Sequence, residues 1–173
     1  LERGLHGVAL IVSDDHAGLK QARQANQPSV PWQRCQCHLQ RNAQAYVPQL
    51  ALRAEVAQAI RDIFNAPDKT EAERMLDRLV DRYQHKAPKL AEWAQENIPQ
   101  GFTVFSLPQP HRLRMRTTNG LERLNREIKR RTRVASIFPH EASLLRLASA
   151  LLVEIDEEWR TGKIYLNMKS DPP

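Results

Sequence analysis

Two carboxylates, Asp14 and Glu122, stand where divalent-metal chemistry could be done. Asp14 follows a short apolar run, GVALIV at 7–12, which Ser13-Asp14-Asp15 stops at once. The run reads as a buried strand covered on both faces, so Asp14 sits at a strand end. Glu122 lies inside the most basic stretch of the chain, HRLRMRTTNGLERLNREIKRRTRVA at 111–135. A glutamate that keeps its place among cations is suited to hold a metal against a phosphate. Carboxylates brought together from a strand end and a helix bind Mg²⁺ or Mn²⁺, which prefer oxygen ligands. Two such ions, about 4 Å apart, activate a nucleophile and stabilise the leaving oxygen in phosphodiester cleavage. Such a site needs a further carboxylate beyond these two.

The basic stretch holds Arg112, Arg114, Arg116, Arg123, Arg126, Lys129, Arg130, Arg131 and Arg133 against only two acids, Glu122 and Glu127. Outside it the chain has 17 of its 26 basic and 18 of its 20 acidic residues, so the net charge of +6 is local. One concentrated basic stripe is built to meet a polyanion, and nucleic acid is the expected one. Plainer readings stand beside these. Asp14 and Asp15 could cap the helix that follows the strand, and Glu122 could be the capping-box partner of Asn119. The basic run could be a solvated helix face. Cys35, Cys37 and His38 hint at zinc, but a structural zinc site takes four ligands and no second pair follows at a usual spacing. A buried strand-end cysteine, with a histidine near a phosphate or carboxylate, is the expectation there.

The elements that must position these groups follow from periodicity. Residues 17–25 read as a helix with Leu19 and Ala22 inward, ended by Asn26-Gln27-Pro28. Trp32–His38 alternates weakly and reads as a second strand. From Leu39 the period becomes helical: Val56, Ile60, Ile63 and Phe64, then Ala72, Leu76, Leu79 and Tyr83, then Leu90, Trp93 and Ala94. Pro67 and Pro88 punctuate this block of roughly 39–98. Gly101–Leu107 reads as extended. A helix then starts at an Asn119 cap, with Leu121, Leu124 and Ile128 as its apolar stripe and Glu122, Arg126, Lys129 and Arg133 on a polar face. A last helix begins near Pro139, with Leu144, Ala148, Leu151, Ile155 and Trp159 buried and Gly162 at its end. Trp32, Trp93 and Trp159 are read as core, His16 as a surface or supporting residue, and the polar tail to Pro173 as frayed.

At 173 residues and 41% hydrophobic, the chain suits one ordinary domain, or a small one with an insertion. No apolar run approaches the ~20 residues of a membrane span. LERGLHG lacks the apolar region of a secretory signal. Cys35 and Cys37 are too close to pair with each other, which fits a reducing, cytoplasmic setting. The chain opens on Leu1 rather than Met, so further residues are expected before it.

Four segments in order, IVSDDHAGL, WQRCQCHLQRN, RTTNGLERLNREIKRRTR and IFPHEASLLRL with a following EEW, resemble the Mutator-type transposases of bacterial insertion sequences. The likeness runs from about Leu5 to Trp159. It implies an α/β but mostly helical fold: a partial RNase H-like core interrupted by an all-α insertion. Residues 1–38 would form the second half of the sheet, 39–110 the helical insertion, 111–162 the C-terminal core helices, and 163–173 a tail. It implies a DDE triad with Asp14 as the second aspartate and Glu122 as the glutamate, while Cys35 and His38 match a C-x-x-H motif. The family's first aspartate and first three strands would lie upstream, leaving this stretch inactive alone. Asp15 stands where a small residue is common. The resemblance further implies two Mg²⁺ or Mn²⁺ ions in the intact enzyme, DNA as partner, a homo-oligomer in the active complex, and a bacterial, nucleoid-associated location. The rival readings are a non-catalytic DNA-binding remnant or repurposed module and another RNase H-like nuclease.

Overall fold

The computed structural model describes residues 4–135 and 137–162. The expected tail at 163–173 lies outside the described residues. The chain divides into two compact units, Leu1–Thr118 and Asn119–Pro173.

The first unit opens with β1 (Ile11–Ser13), α1 (Ala17–Asn26) and β2 (Trp32–Arg34). The two strands pair in parallel, Ile11 opposite Trp32 and Ser13 opposite Arg34. The strand expected over 7–12 is thus shorter and shifted, because a ladder exists only where a neighbour supplies it, and β2 is three residues long. Nor is β1 covered on both faces, for its residues are only half-buried. The helix at 17–25 forms, but Leu19 is 49% exposed and Ala22 is also exposed, so the inward face expected there is corrected. Nothing apolar among the described residues receives it.

The strand expected over Trp32–His38 is half helix. It ends at Arg34, and α2 (Gln36–Ala43) begins behind Cys35. The helical block then follows its apolar spacing. α3 (Arg53–Phe64) buries Val56, Ile60, Ile63 and Phe64; α4 (Lys69–Tyr83) buries Ala72, Leu76, Leu79 and Tyr83; α5 (Pro88–Asn97) buries Leu90, Ala91, Trp93 and Ala94. Asp68 caps α4 by accepting the Glu71 amide at 2.9 Å, and Pro88 occupies the first turn of α5. These faces, with Leu39 from α2 and Phe102 and Phe105 beyond α5, make one core.

Residues 101–107, expected to be extended, form 3₁₀ turns at Ile98–Gly101 and Thr103–Ser106. The tight coil turns Val104 and Phe105 inward and leaves the Gly101 carbonyl for side chains of β2 and α2. α6 (Gln109–Met115), which periodicity did not announce, completes the unit.

The second unit is a pair of helices, α7 (Asn119–Ala135) and α8 (Glu141–Thr161). α7 takes Asn119 as its first helical residue. On α7, Leu124 and Ile128 are half-buried while Leu121 is 56% exposed. His140 caps α8 by accepting the Ser143 amide, and Gly162 ends it. Of the stripe expected on α8, Leu151 is buried and Ala148 and Ile155 are half-buried. Leu144 and Trp159 are exposed, Trp159 by 61%, so the core reading of that tryptophan is corrected. Among the described residues no helix is long and apolar enough to cross a membrane.

Candidate functional site

The ends of the two parallel strands gather the chemically capable groups of the first unit. Ser13 closes β1: its carbonyl accepts the Cys35 amide at 2.7 Å, and its hydroxyl accepts the Trp32 indole N–H at 2.9 Å while donating to the Asp14 carbonyl. The two aspartates that follow are treated differently. Asp15 is spent on cations, pairing with Lys20 and with Arg34 Nη1 at 3.2 Å. Asp14 is half-buried, and its Oδ1 is buried with no hydrogen-bond partner. A buried carboxylate oxygen left without a donor is costly, and a cation is what would satisfy it. Neither aspartate caps α1; that role falls to the His16 imidazole, which accepts the Gly18 amide at 3.2 Å.

Cys35 follows β2 as Asp14 follows β1. It is fully buried and occupies the cap position of α2. His38 stands three residues on, in the first turn, where a cap side chain meets backbone N–H groups. The C-x-x-H spacing is therefore a helix-entry spacing here. Burial pushes the Cys35 thiol up, but hydrogen bonds from the side chain and backbone of Thr118, and from His38, outweigh it and leave the thiol below its ordinary value. Both the amide and the hydroxyl of Thr118 lie 3.4 Å from Sγ.

Three polar side chains that periodicity passes over hold this strand end in place. Gln33 and Gln36 are buried, and both donate to the Gly101 carbonyl, at 2.9 and 2.8 Å. Gln33 Oε1 also accepts the Val104 amide at 2.8 Å. Arg34, 3% exposed, donates through Nη1 to Asn97 at 2.7 Å. Polar residues crowded into WQRCQ were the available signal, since polar groups so close to a strand must find partners once buried.

The basic stretch splits into internal and outward-facing cations. Arg112 donates to the carbonyls of Leu107 and Pro67, and Arg116 to Asn65 at 2.7 Å. Both are engaged within the first unit; Arg114 is exposed. On α7, Arg130 and Arg131 both pair with Glu127, at 2.7 and 2.9 Å. Hydrogen bonds from Arg130 and then Arg131 hold the Glu127 carboxyl at about 2. Arg123, Arg126, Lys129 and Arg133 are exposed and, among the described residues, have no carboxylate partner. Glu122 is exposed in the first turn of α7, where the positive helix terminus favours a carboxylate. It belongs to the second unit and Asp14 to the first. Among the described residues no three His, Cys, Asp or Glu side chains gather to hold a metal ion.

Residues 1–162 match the Mutator family of transposases. The chain belongs to that family. This Mutator-family chain is 62% identical over 167 residues to a transposase for insertion sequence element IS406 of Burkholderia multivorans, covering 96% of the chain and 43% of that relative. It is 43% identical to a transposase for insertion sequence element ISRM5 of Rhizobium meliloti, covering 96% of the chain and 42% of the relative. It is 34% identical to a transposase for insertion sequence element IS256 in transposon Tn4001 of Staphylococcus aureus, covering 96% and 43%. The Mutator-family chain thus spans about two fifths of the length of these curated relatives.

Proposed function

We propose that this chain is the C-terminal part of the catalytic domain of a DDE transposase with an RNase H-like core, which frees a 3′-OH at the element's ends and joins it to target DNA. Residues 1–38 belong to the core sheet, 39–110 to the helical insertion and 111–162 to the closing core helices. Asp14 and Glu122 hold Mg²⁺ or Mn²⁺ together with an aspartate from an upstream strand. The bound ions supply activation of the attacking oxygen and stabilisation of the leaving one. Asp15 keeps Arg34 and Lys20 neutralised, so Asp14 alone of the pair is available as a ligand. Arg123, Arg126, Lys129 and Arg133 meet DNA phosphates, which fixes position but reads little sequence. The active assembly is a homo-oligomer on DNA in the bacterial cytoplasm.

The observation that carries this reading is the orphaned Asp14 Oδ1 at a strand end beside Cys35.

The test is made in the full-length transposase. Asp14→Asn and Glu122→Gln should each abolish 3′-end cleavage yet spare DNA binding, because each removes ligand charge and neither removes a cation. Asp15→Asn should leave cleavage within about tenfold of wild type, a change of roughly 1.4 kcal/mol in barrier. Residues 1–173 alone should bind DNA and cut nothing. Robust cleavage by that fragment would place the triad elsewhere, and binding without cleavage by the full-length protein would make it a DNA-binding module.

A further inference from the structure

A polar pocket of about 410 Å³ opens on the first unit beside the strand ends. Arg34, 3% exposed, is part of its lining, and Trp93, 8% exposed, is another part. Tyr46 stacks on Trp93 with ring centroids 5.4 Å apart and planes inclined by 23°. Tyr46 also lines the pocket and is 40% exposed, so aromatic surface remains for a guest. Arg34 Nε is buried and has no hydrogen-bond partner, although Nη1 is engaged with Asn97, Gln100 and Asp15. The Asn97 amide accepts from Arg34 and donates to the Trp93 carbonyl, which leaves it one N–H and one lone pair, and exposed Asn42 adds a second amide to the same lining.

The charges discriminate between guests. Arg34 is the one cation of the lining, against the carboxylates of Asp15 and Glu96. A phosphate would meet more negative than positive charge there. A neutral planar ring with donors and acceptors on its edge fits the aromatic pair and the amides. The volume lies at the low end of small-molecule sites, roughly 300–1,000 Å³, which accommodates one base and excludes a duplex.

We infer that this pocket takes a single unstacked nucleobase of the DNA, stacked on Tyr46 and hydrogen-bonded along its edge by Asn42 and Asn97. The inference rests on the DNA-cutting reading above and refines it. Asp15, in the pocket lining, is the sequence neighbour of Asp14, the carboxylate assigned to the chemistry. Enzymes acting on duplexes pay a few kcal/mol to extrude a nucleotide, least where it is already unpaired.

The experiment compares two duplexes bound by the full protein, one fully paired and one with a single bulged 2-aminopurine whose fluorescence reports stacking. The bulged duplex should bind more tightly and its fluorescence should be quenched. Base–aromatic stacking of about 1–3 kcal/mol corresponds to a roughly 5- to 150-fold loss when the ring is removed. Tyr46→Ala should show that loss on the bulged duplex and none on the paired one, while Tyr46→Phe should retain both. Ala45→Trp, at an exposed lining position, fills the pocket without removing a contact and should match Tyr46→Ala; it decides the matter if Tyr46→Ala misfolds. Equal affinity for the two duplexes, or equal weakening of both by these variants, overturns the inference and leaves the DNA reading standing. Failure to bind either duplex overturns both.

Discussion

Replacing Glu127 with Gln should tighten DNA binding and make it more salt-dependent. In the folded protein the Glu127 carboxylate holds two guanidinium groups, Arg130 at 2.7 Å and Arg131 at 2.9 Å, on an exposed face of α7. Those two cations are spent inside the helix, whereas Arg123, Arg126, Lys129 and Arg133 have no carboxylate partner among the described residues. The substitution removes one anion and releases two cations. Each phosphate neutralised on duplex DNA contributes about 0.9 to the log–log salt slope, so the variant should steepen it by up to about 1.8. Converting the four unpaired cations to Gln should flatten it by about 3.6. Fluorescence anisotropy titrations of a labelled duplex from roughly 50 to 200 mM salt span the useful range. A wild-type slope in Glu127→Gln would show that Arg130 and Arg131 already reach phosphates, and an unchanged slope in the fourfold variant would remove α7 from the DNA face altogether. Acid should not mimic the substitution. The Glu127 carboxyl is depressed from its ordinary 4.5 to about 2 by Arg130 and Arg131. Its pairing is therefore complete above about 4.5 and is lost only as pH falls through about 2. Between pH 7 and pH 5 the salt slope should stay constant as far as this group is concerned.

Two further outcomes follow from packing. Gly101→Ala would set its Cβ 2.9 Å from Leu39 Cδ1 and from Phe64 Cε1, inside the core. Overpacking of this kind costs about 1–3 kcal/mol and should lower the thermal midpoint in calorimetry; an unshifted midpoint would show that the two side chains yield freely. Iodoacetamide should modify half-exposed Cys37 in the folded protein and leave fully buried Cys35 intact until denaturant is added, although the Cys35 thiol is set below its ordinary value. Access governs that contest, and equal labelling rates by mass spectrometry would count against the buried position of Cys35.

The helical block was readable because each of its helices buries a stripe within the block itself. Ile60, Leu76 and Leu90 find one another at short range, so apolar spacing and Pro88 are enough to announce them. The strand ends were harder. Gln33, Arg34 and Gln36 are buried because Asn97, Gly101 and Val104 receive them more than sixty positions away, and no local pattern encodes so distant a partner. Residues 101–107 carry valine and phenylalanines and so read as extended, but those side chains serve the helical core and coil to reach it. Leu19 and Trp159 show the converse: periodicity announces a face, yet the described residues offer nothing to cover it. Asp14 was singled out by its place after an apolar run. What separates it from Asp15 is Arg34 and Lys20, and only the fold supplies them.

The Gly101 carbonyl, which receives both Gln33 and Gln36, also bears on the order in which the protein assembles. Those bonds span 68 and 65 positions, and the Thr103 hydroxyl reaches the Trp32 carbonyl across 71. Closing a loop of that length is entropically costly until something shortens it. Contacts among α3, α4 and α5 are local and form early, and once made they bring the two ends of the excursion together. The knot of polar bonds at the strand ends is then tied last. A destabilising change deep in α3 or α4, far from any reacting group, should therefore appear first as slow maturation of the strand ends, in nascent chains more than in finished ones.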